Sequence, residues 1–430
     1  MQIDARLGPG EDLKGLVSQP RAAEAATEGN SVPLTEVDIR TSVRPTVAEI
    51  DLGAVQRNAR RVQQSMGPGV ALYGVVKADA YGHGAVPVAR ALEPVCNTLA
   101  VSLVEEGLEL RSAAIRAPIV VLGAYYNSHH DDVLAGRLTP VVYDRGDLER
   151  FAAAAARRGR RADVHIKVDT GMSRLGFSAG DVPAVLERLR ALPALRLAGI
   201  CTHFASADVP EAAATEEAVA RFEVCLAQVA RAGFEGVIRH AANSAAAVRF
   251  PGARFDAVRP GLALYGTMPS RHVRLEGLEA ALRLSTRIMA IHDIAAGTSV
   301  SYGGLWRAQR PSRIATLPLG YADGYPRHVD GAVALVAGRR VPIVGAVCMD
   351  MLMVDVTDVQ PGAADLGAVV TLVGRDGSEE ITVDDLARWA GTINYEILCG
   401  ISKRVPRILR EAPVTAPVGG PTTPRPKPTP

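Results

Sequence analysis

The apolar run Leu72-Tyr73-Gly74-Val75-Val76-Lys77 ends in a lysine and is followed by a stretch with helical spacing at Ala85–Leu92. The same alternation of a short apolar or β-branched run with a helix-like stretch continues through the first half of the chain. Strands that alternate with helices pair in parallel, because each crossover must return along the sheet. The further runs are Thr98–Ser102, Ile119–Gly123, Thr139–Val142, Val164–Asp169, Leu197–His203, Val237–Ala242 and Ala257–Arg259.

Eight such units within about 200 residues predict an α/β fold with an N-terminal closed (β/α)8 barrel, the TIM barrel. Periodicity alone leaves an open doubly wound sheet as the alternative. In a barrel, the chemistry lies at the carboxyl ends of the strands. The polar residues at these ends are therefore the first candidates for a functional site.

The sequence pattern changes after about Thr286, where short strand-like runs are separated by Gly, Pro and Asp. Only Val383–Ala390 and Asn394–Leu398 have helical spacing there, so this part is predicted to be a second, mostly β domain. The strand-like runs are Thr286–Ile291, Arg313–Leu319, Ala332–Val336, Val341–Val347, Leu352–Val356 and Ala368–Gly374.

The predicted domain organisation has four parts: a flexible arm at residues 1–43, the barrel at 44–280, the β-rich domain at 281–411 and a disordered tail at 412–430. The arm mixes Gly, Pro, Ala and charged residues without sustained periodicity. The tail is rich in proline, which neither pairs strands nor continues helices.

Composition excludes several classes of protein. Lysine plus arginine (48) nearly balances aspartate plus glutamate (46) among the 430 residues, which leaves no basic stripe for nucleic acid. No apolar run approaches the roughly 20 residues that a membrane-spanning helix needs, and no secretory signal is recognisable. The five cysteines are scattered without a C-x-x-C pair, which is typical of a reducing compartment. We expect a cytoplasmic protein with no metal site.

Four polar residues lie at or near the ends of predicted barrel strands, namely Lys77, Lys167, His203 and Arg259. A lysine at such a position either extends its amine to water or stays buried with a lowered pKa. In the second case the amine is neutral enough to attack a carbonyl group. Spacing alone does not decide between the two.

The residues after Lys77 carry a resemblance to a known family. Lys77-Ala78-Asp79-Ala80-Tyr81-Gly82-His83-Gly84 resembles the pyridoxal-phosphate signature of bacterial alanine racemases. The resemblance extends over residues 44–410, and its motifs follow the order of the family. The further motifs are Ala48–Leu52, Lys167–Gly176, Thr202–Asp208, Ala242–Ser244, Arg259–Gly266, Ser301–Gly303, Gly320–Gly324, Cys348–Asp350 and Asn394–Glu396.

The resemblance implies a homodimeric isomerase that interconverts L-alanine and D-alanine with pyridoxal 5'-phosphate and supplies D-alanine for peptidoglycan. Lys77 would hold the cofactor covalently and serve as one catalytic base. Tyr302 of the partner subunit would be the base on the opposite face, since racemisation removes a proton from one side and returns it from the other. His203 and Arg259 resemble the network that supplies positive charge near this phenol.

The remaining roles are implied position by position. Arg259 would face the pyridine nitrogen of the cofactor, and Arg174 would contact its phenolic oxygen and the substrate carboxylate beside a carbamylated Lys167. From the partner subunit, Met349 would complete the carboxylate site, and Tyr321 and Asp350 would line the entrance. The cofactor-binding residues implied by the family are Lys77, Tyr81, Arg174, His203, Ser244, Arg259, Gly261, Leu262 and Tyr395.

Three alternative functions remain open at this stage. A broad-specificity amino-acid racemase of the same fold differs only by residues around the entrance, because a pocket discriminates by only about 1–3 kcal/mol per methylene. A related barrel decarboxylase would place a carboxylate where this chain has Arg259. A non-catalytic pyridoxal-phosphate-binding protein would resemble the barrel alone, without the β-rich domain that carries Tyr302.

Overall fold

The structure is a computed structural model that describes residues 43–123 and 129–410. The predicted tail at 412–430 and all of the predicted arm except Val43 lie outside the described residues. None of the helices within the described ranges combines the length and the apolar composition of a membrane-spanning segment.

Parallel strands close into the predicted barrel, which excludes the open sheet. The β-branched and leucine side chains of these strands are almost all buried, as a barrel packed on both faces requires. Strand β1 (Val47–Asp51) precedes the barrel. The barrel strands are β2 (Ala71–Val75), β3 (Thr98–Val101), β4 (Ile119–Val121), β5 (Leu138–Val142), β6 (Ala162–Lys167), β7 (Leu195–Cys201), β8 (Ile238–His240) and β9 (Ala257–Val258).

Helices connect the barrel strands and bury one apolar face each against them. Phe151 and Phe222, from two of these helices, belong to the same core cluster as Leu72 and Ile166 of the strands. The helices of this half are α1 (Leu52–Met66), α2 (Lys77–Gly82), α3 (Ala85–Leu92), α4 (Val104–Ser112), α5 (His130–Ala135), α6 (Arg145–Arg157), α7 (Val182–Arg190), α8 (Ala213–Arg231) and α9 (Ser244–Arg249); α10 (Val383–Ala390) and α11 (Asn394–Gly400) belong to the second half of the chain.

The second half of the chain forms the predicted mostly β domain. Its main sheet has the order β11-β14-β17-β16-β15-β18-β10-β1-β20, and β12 and β13 form a separate hairpin. The strands are β10 (Leu282–Arg287), β11 (Ala290–Ile294), β12 (Ser299–Val300), β13 (Trp306–Arg307), β14 (Ser312–Leu317), β15 (Val333–Val336), β16 (Arg339–Val344), β17 (Leu352–Asp355), β18 (Val369–Asp376), β19 (Glu379–Ile381) and β20 (Arg407–Arg410).

Two details of this domain differ from the sequence-based expectation. The run Thr286–Ile291 is not one strand, because β10 ends at Arg287 and the chain then crosses to the edge of the sheet, where β11 pairs with β14. Strand β1 lies in this sheet and not in the barrel, between β10 and β20. The domain boundaries at 44, 281 and 411 remain predictions.

Candidate active site

Lys77 lies two positions after the last residue of strand β2, at the carboxyl end of the barrel, where it is partly buried. Burial lowers the pKa of its amine, and the positive charge of Arg174 lowers it further. The carboxylate of Glu106 acts in the opposite direction. The amine therefore loses its proton more readily than that of an exposed lysine.

The backbone that follows Lys77 is left-handed over four residues, Ala78 to Tyr81, with φ between 52° and 54°. For L-residues other than glycine this conformation costs about 1–2 kcal/mol each. Hydrogen bonds from the amide of Ala78 to Glu106 and from the amide of Ala85 to Asp79, both 2.7 Å long, anchor the segment. Such strain concentrates at functional sites, where the surrounding structure maintains it.

Glu106 was not among the predicted site residues. Its other carboxylate oxygen accepts hydrogen bonds from the amides of Ser102 and Leu103, at 2.7 and 3.0 Å. The two acidic residues in the first turn of α4 are a recognisable capping signal. Sequence does not reveal that the same carboxylate also reaches the segment after Lys77.

Arg259 follows strand β9 and is 5 % exposed. Its guanidinium donates to the carbonyl oxygens of Thr202 (2.7 Å), His240 (2.9 Å) and Ala241 (3.0 Å). No carboxylate pairs with it among the described residues, and burial lowers its pKa from the usual value. A guanidinium always donates and never accepts, so this buried cation can donate to a ligand in the barrel mouth.

Two histidines that the sequence did not single out, His240 and His165, form a chain of hydrogen bonds with Arg259. Arg259 Nη1 lies 2.8 Å from Nδ1 of His240, and His240 Nε2 lies 2.8 Å from Nδ1 of His165. Because arginine can only donate, His240 Nδ1 must accept, and its proton stands on Nε2 toward His165. Burial lowers the pKa of His240 well below its ordinary value, with the charge of Arg259 contributing further.

His203 follows strand β7, and its Nδ1 lies 3.4 Å from Arg259 Nη2. Burial lowers the pKa of His203 well below its ordinary value, and the neighbouring charge of Arg259 lowers it further. The imidazole is therefore neutral near pH 7. In this arrangement the positive charge beside His203 belongs to Arg259.

A second group of polar atoms lies around the turn after β9. The hydroxyl of Ser244 accepts from the amides of Gly261 (3.0 Å) and Ala263 (3.4 Å). A Cβ atom at Gly261 would collide with the phenol of Tyr81, which shows how close these two residues are. The ring of Tyr395, on α11, lies 6.0 Å from that of Tyr81. These hydroxyl and amide groups are neutral, and such a set holds an anion by hydrogen bonds rather than by charge.

The third part of the barrel mouth contains Lys167 and Arg174. Lys167 ends strand β6 and is buried, and burial lowers the pKa of its amine. Asp169 does not form a hydrogen bond with Lys167; its carboxylate accepts from the amides of Gly171 (2.8 Å) and Met172 (2.9 Å). Arg174 is exposed in the same loop, and its charge lowers the pKa of both lysines.

Besides Tyr395, four predicted site residues lie on the β-rich domain. Tyr302 is 76 % exposed, and the side chains of Met349 and Tyr321 are also exposed. Asp350 pairs with Arg404 at 2.7 Å. Within the described part of the chain, none of the four forms a side-chain hydrogen bond or ion pair with a barrel residue. The structure of one chain therefore brings the barrel residues together but leaves this second group on an open surface.

The turn that carries Tyr321 is fixed by a buried carboxylate. Asp323 accepts two 2.5 Å hydrogen bonds from Arg44 and one of 2.9 Å from the amide of Gly320. The amide of Tyr321 donates to the carbonyl of Cys348 at 3.0 Å. The segments around Tyr321 and Met349 are thus held as one rigid surface.

Comparison with known proteins matches both halves of the chain. The family model described as alanine racemase, N-terminal domain, matches residues 50–269, and the one described as alanine racemase, C-terminal domain, matches residues 281–409. An alanine racemase of Sorangium cellulosum is 43% identical over 381 residues, which cover 86% of this chain and all of that protein. One of Symbiobacterium thermophilum is 45% identical over 370 residues, which cover 85% of this chain and 97% of the relative.

Solved structures agree in fold. The alanine racemase of Clostridium difficile 630 has a TM-score of 0.81 and 35% identity, with 86% of this chain and 97% of that chain covered. The alanine racemase of Bacillus anthracis with bound L-Ala-P has a TM-score of 0.78 and 38% identity, with 86% and 96% covered.

Proposed function

The chain belongs to the alanine racemase family and is an isomerase, and from this premise we propose that it interconverts L-alanine and D-alanine by a two-base mechanism with pyridoxal 5'-phosphate. The two bases are Lys77 and Tyr302 of the partner subunit. The observation that carries the proposal is the pairing, in one barrel mouth, of a lysine whose pKa is lowered with a buried guanidinium that has no carboxylate partner among the described residues.

The residues present fit this cofactor. Arg259 offers a buried donor, which suits an unprotonated ring nitrogen. Tyr81, Ser244 and the amides around Gly261 form a neutral donor set that suits a phosphate group. When bound, pyridoxal 5'-phosphate supplies an electron-withdrawing ring that acidifies the α-hydrogen of an amino acid attached to it.

Lys77 serves as one base, and the pKa of its amine is lowered. Burial and the charge of Arg174 both favour the form without the third proton. Nζ can therefore accept the α-hydrogen on one face and return it in the reverse direction. Both enantiomers have equal free energy in water, so the two bases must be similarly competent.

Tyr302 serves as the base on the opposite face. In one chain its phenol is exposed on the β-rich domain and forms no side-chain hydrogen bond with the barrel among the described residues. A second copy that places this surface on the barrel mouth would complete the site. The charge of Arg259 beside His203 would then favour the phenolate form. Met349 of the partner subunit would bind the substrate carboxylate through its amide, with Tyr321 and Asp350 at the entrance.

Arg259 directs the reaction toward racemisation. Because the guanidinium keeps its protons, Arg259 would donate to a ring nitrogen there without protonating it. An unprotonated ring nitrogen would disfavour decarboxylation and transamination. Arg174 would bind the substrate carboxylate through its positive charge. Carbamylation of the buried Lys167 would turn a cation into an anion, which would orient Arg174.

Two further residues are proposed to hold the cofactor. The backbone of Leu262 lies next to Gly261 in the buried turn after β9, and Tyr395, whose ring lies near that of Tyr81, would hold the phosphate group together with it. His203 lies beside Arg259, with its Nδ1 3.4 Å from Nη2. We also propose a homodimer, a cytoplasmic location and a role in supplying D-alanine for peptidoglycan.

The test is to purify the protein and measure conversion of L-alanine to D-alanine, together with an absorbance scan for the bound cofactor. We expect racemisation and a yellow protein whose visible band is lost in Lys77→Ala. Equal turnover of serine, lysine or arginine would favour the broad-specificity racemase. Release of carbon dioxide would favour a decarboxylase, and cofactor binding without turnover would favour a non-catalytic protein.

A further inference from the structure

His83 lies at the end of the left-handed segment that starts after Lys77. Its Nδ1 lies 2.9 Å from the carbonyl oxygen of Tyr81 and 3.1 Å from that of Ala80. Its own amide donates to the carbonyl of Ala80 at 3.2 Å. One imidazole thus binds two successive peptide groups in the strained part of the turn.

The tautomer of this imidazole follows from its partners. Both neighbours of Nδ1 are carbonyl oxygens, which only accept, so Nδ1 carries the proton. Nε2 is buried and has no hydrogen-bond partner among the described residues. Burial lowers the pKa of His83 to about 4, so the ring is a neutral donor near pH 7.

Tyr265 connects His83 to the strand that precedes Lys77. The two rings lie 4.5 Å apart, and the phenol of Tyr265 donates to the carbonyl of Val75 at 2.9 Å. Tyr265 also lies 5.0 Å from the ring of Tyr81. The backbone is therefore fixed on both sides of Lys77, at Val75 before it and at Tyr81 after it.

Filling this space with apolar surface would not require the polar groups of His83 and Tyr265. An apolar residue at position 83 would leave no buried acceptor without a donor, as Nε2 of His83 does. In the structure the donor at Nδ1 is used and the acceptor at Nε2 is not. This indicates that the hydrogen bonds from Nδ1 are the contribution of His83 to the turn. The residues that the turn carries, Lys77 and Tyr81, are both proposed to contact the cofactor.

We propose that His83 is a positioning residue, whose Nδ1–H locks the left-handed turn and so fixes the Lys77 amine and the Tyr81 phenol relative to each other. This proposal rests on the proposed function. It assigns to His83 the orientation of the lysine and not the binding of the substrate carboxylate. Loss of His83 should therefore lower kcat and leave KM nearly unchanged.

The test compares three substitutions in the cofactor-loaded full chain. His83→Asn places an amide donor close to the position of Nδ1, His83→Gln places its amide near Nε2, and His83→Leu keeps bulk without a donor. We expect His83→Asn to retain kcat within about threefold. His83→Gln and His83→Leu should lose about 10- to 100-fold in kcat, as expected for a misplacement of about 1 Å.

A second readout is the visible circular dichroism of the bound cofactor, which reports how the ring is held by Lys77. It should change in the Gln and Leu variants and stay near wild type in the Asn variant. The matched control is His130→Leu, which removes another buried histidine, paired with Asp147 on the outside of the barrel at 2.9 Å. We expect it to lower the melting temperature and to leave kcat and the dichroism unchanged.

Two results would overturn the proposal: kcat and dichroism of His83→Leu equal to wild type, or a His83→Asn variant as impaired as His83→Gln. If His83→Leu does not fold, the Asn and Gln pair decides. A wild-type protein that binds no cofactor would instead contradict the proposed function, so the two failures are distinguishable.

Discussion

Nη1 of Arg259 donates to Nδ1 of His240 at 2.8 Å, in the interior of the barrel. This contact fixes the tautomer of His240 and, through its Nε2, the acceptor role of His165. The guanidinium of Arg259 is thus connected by hydrogen bonds to two neutral imidazoles, first that of His240 and then that of His165. Protonation of either ring would place a second positive charge beside a guanidinium that has no carboxylate partner among the described residues.

Arg259→Lys tests whether the several donors of the guanidinium matter, because it keeps the positive charge and removes the planar group. A lysine cannot reach the carbonyls of Thr202 and Ala241 and the ring of His240 together, so buried acceptors lose their donors. We expect a loss of about 1–3 kcal/mol in the free energy of unfolding, measured in urea, and a fall in kcat/KM of at least about tenfold. Arg196→Lys, at an exposed pair with Asp163, should change neither. A fully active and stable Arg259→Lys variant would show that the hydrogen bonds donated by the guanidinium are not required.

The buried imidazoles predict acid sensitivity. Burial lowers the pKa of His83 and of His165 to about 4, below the ordinary value of 6.5. As pH falls from about 6.5 to about 4, the unfolded chain binds protons that the folded chain does not, so stability decreases with decreasing pH. Each group contributes up to about 3 kcal/mol over this window.

The measurement is the urea midpoint of the cofactor-loaded protein at several pH values between 7 and 4.5. His165→Asn keeps an acceptor near Nδ1 and removes the titrating ring, so its midpoint should fall less steeply with acid than that of wild type, each relative to its own value at pH 7. His328→Gln, at an exposed position, should keep the wild-type slope. Identical slopes for His165→Asn and wild type would show that His165 is not held neutral.

How much the sequence predicts depends on how local each feature is. The barrel strands were predicted because each is a short apolar run, and Lys77 and Arg259 were found because they end such runs. Strand β1 could not be assigned to the second sheet, since it pairs in parallel with β20, more than 300 residues later. The contact between His165 and His240 joins β6 to β8 across the barrel interior. No pattern within either strand indicates this contact.

Asp323 provides a test of the surface proposed to meet the partner. Its buried carboxylate binds Arg44, lies 3.3 Å from Arg404 and holds the amide of Gly320. Asp323→Asn removes the buried carboxylate that accepts from Arg44 and from the amide of Gly320, and we expect a loss of about 3 kcal/mol in the free energy of unfolding and a weaker dimer. Asp365→Asn, which breaks an exposed pair with Arg313, should cost less than about 1 kcal/mol. Urea unfolding measures the stability of both variants, and sedimentation measures how tightly they dimerise. Equal effects of Asp323→Asn and Asp365→Asn on both quantities would contradict this role of Asp323.

The proposed exchange of residues between subunits is tested by mixing two inactive variants, Lys77→Ala and Tyr302→Phe. A mixed dimer has one site with both defects and one site with the intact barrel of one chain and the intact phenol of the other. Random reassembly makes about half of the dimers mixed, so about one quarter of wild-type activity should return. Mixing Lys77→Ala with Arg259→Lys is the matched control, because both defects lie in barrels and every site keeps one, so little activity should return. If tagged mixed dimers form but the first mixture stays inactive, Tyr302 does not act across the subunit boundary.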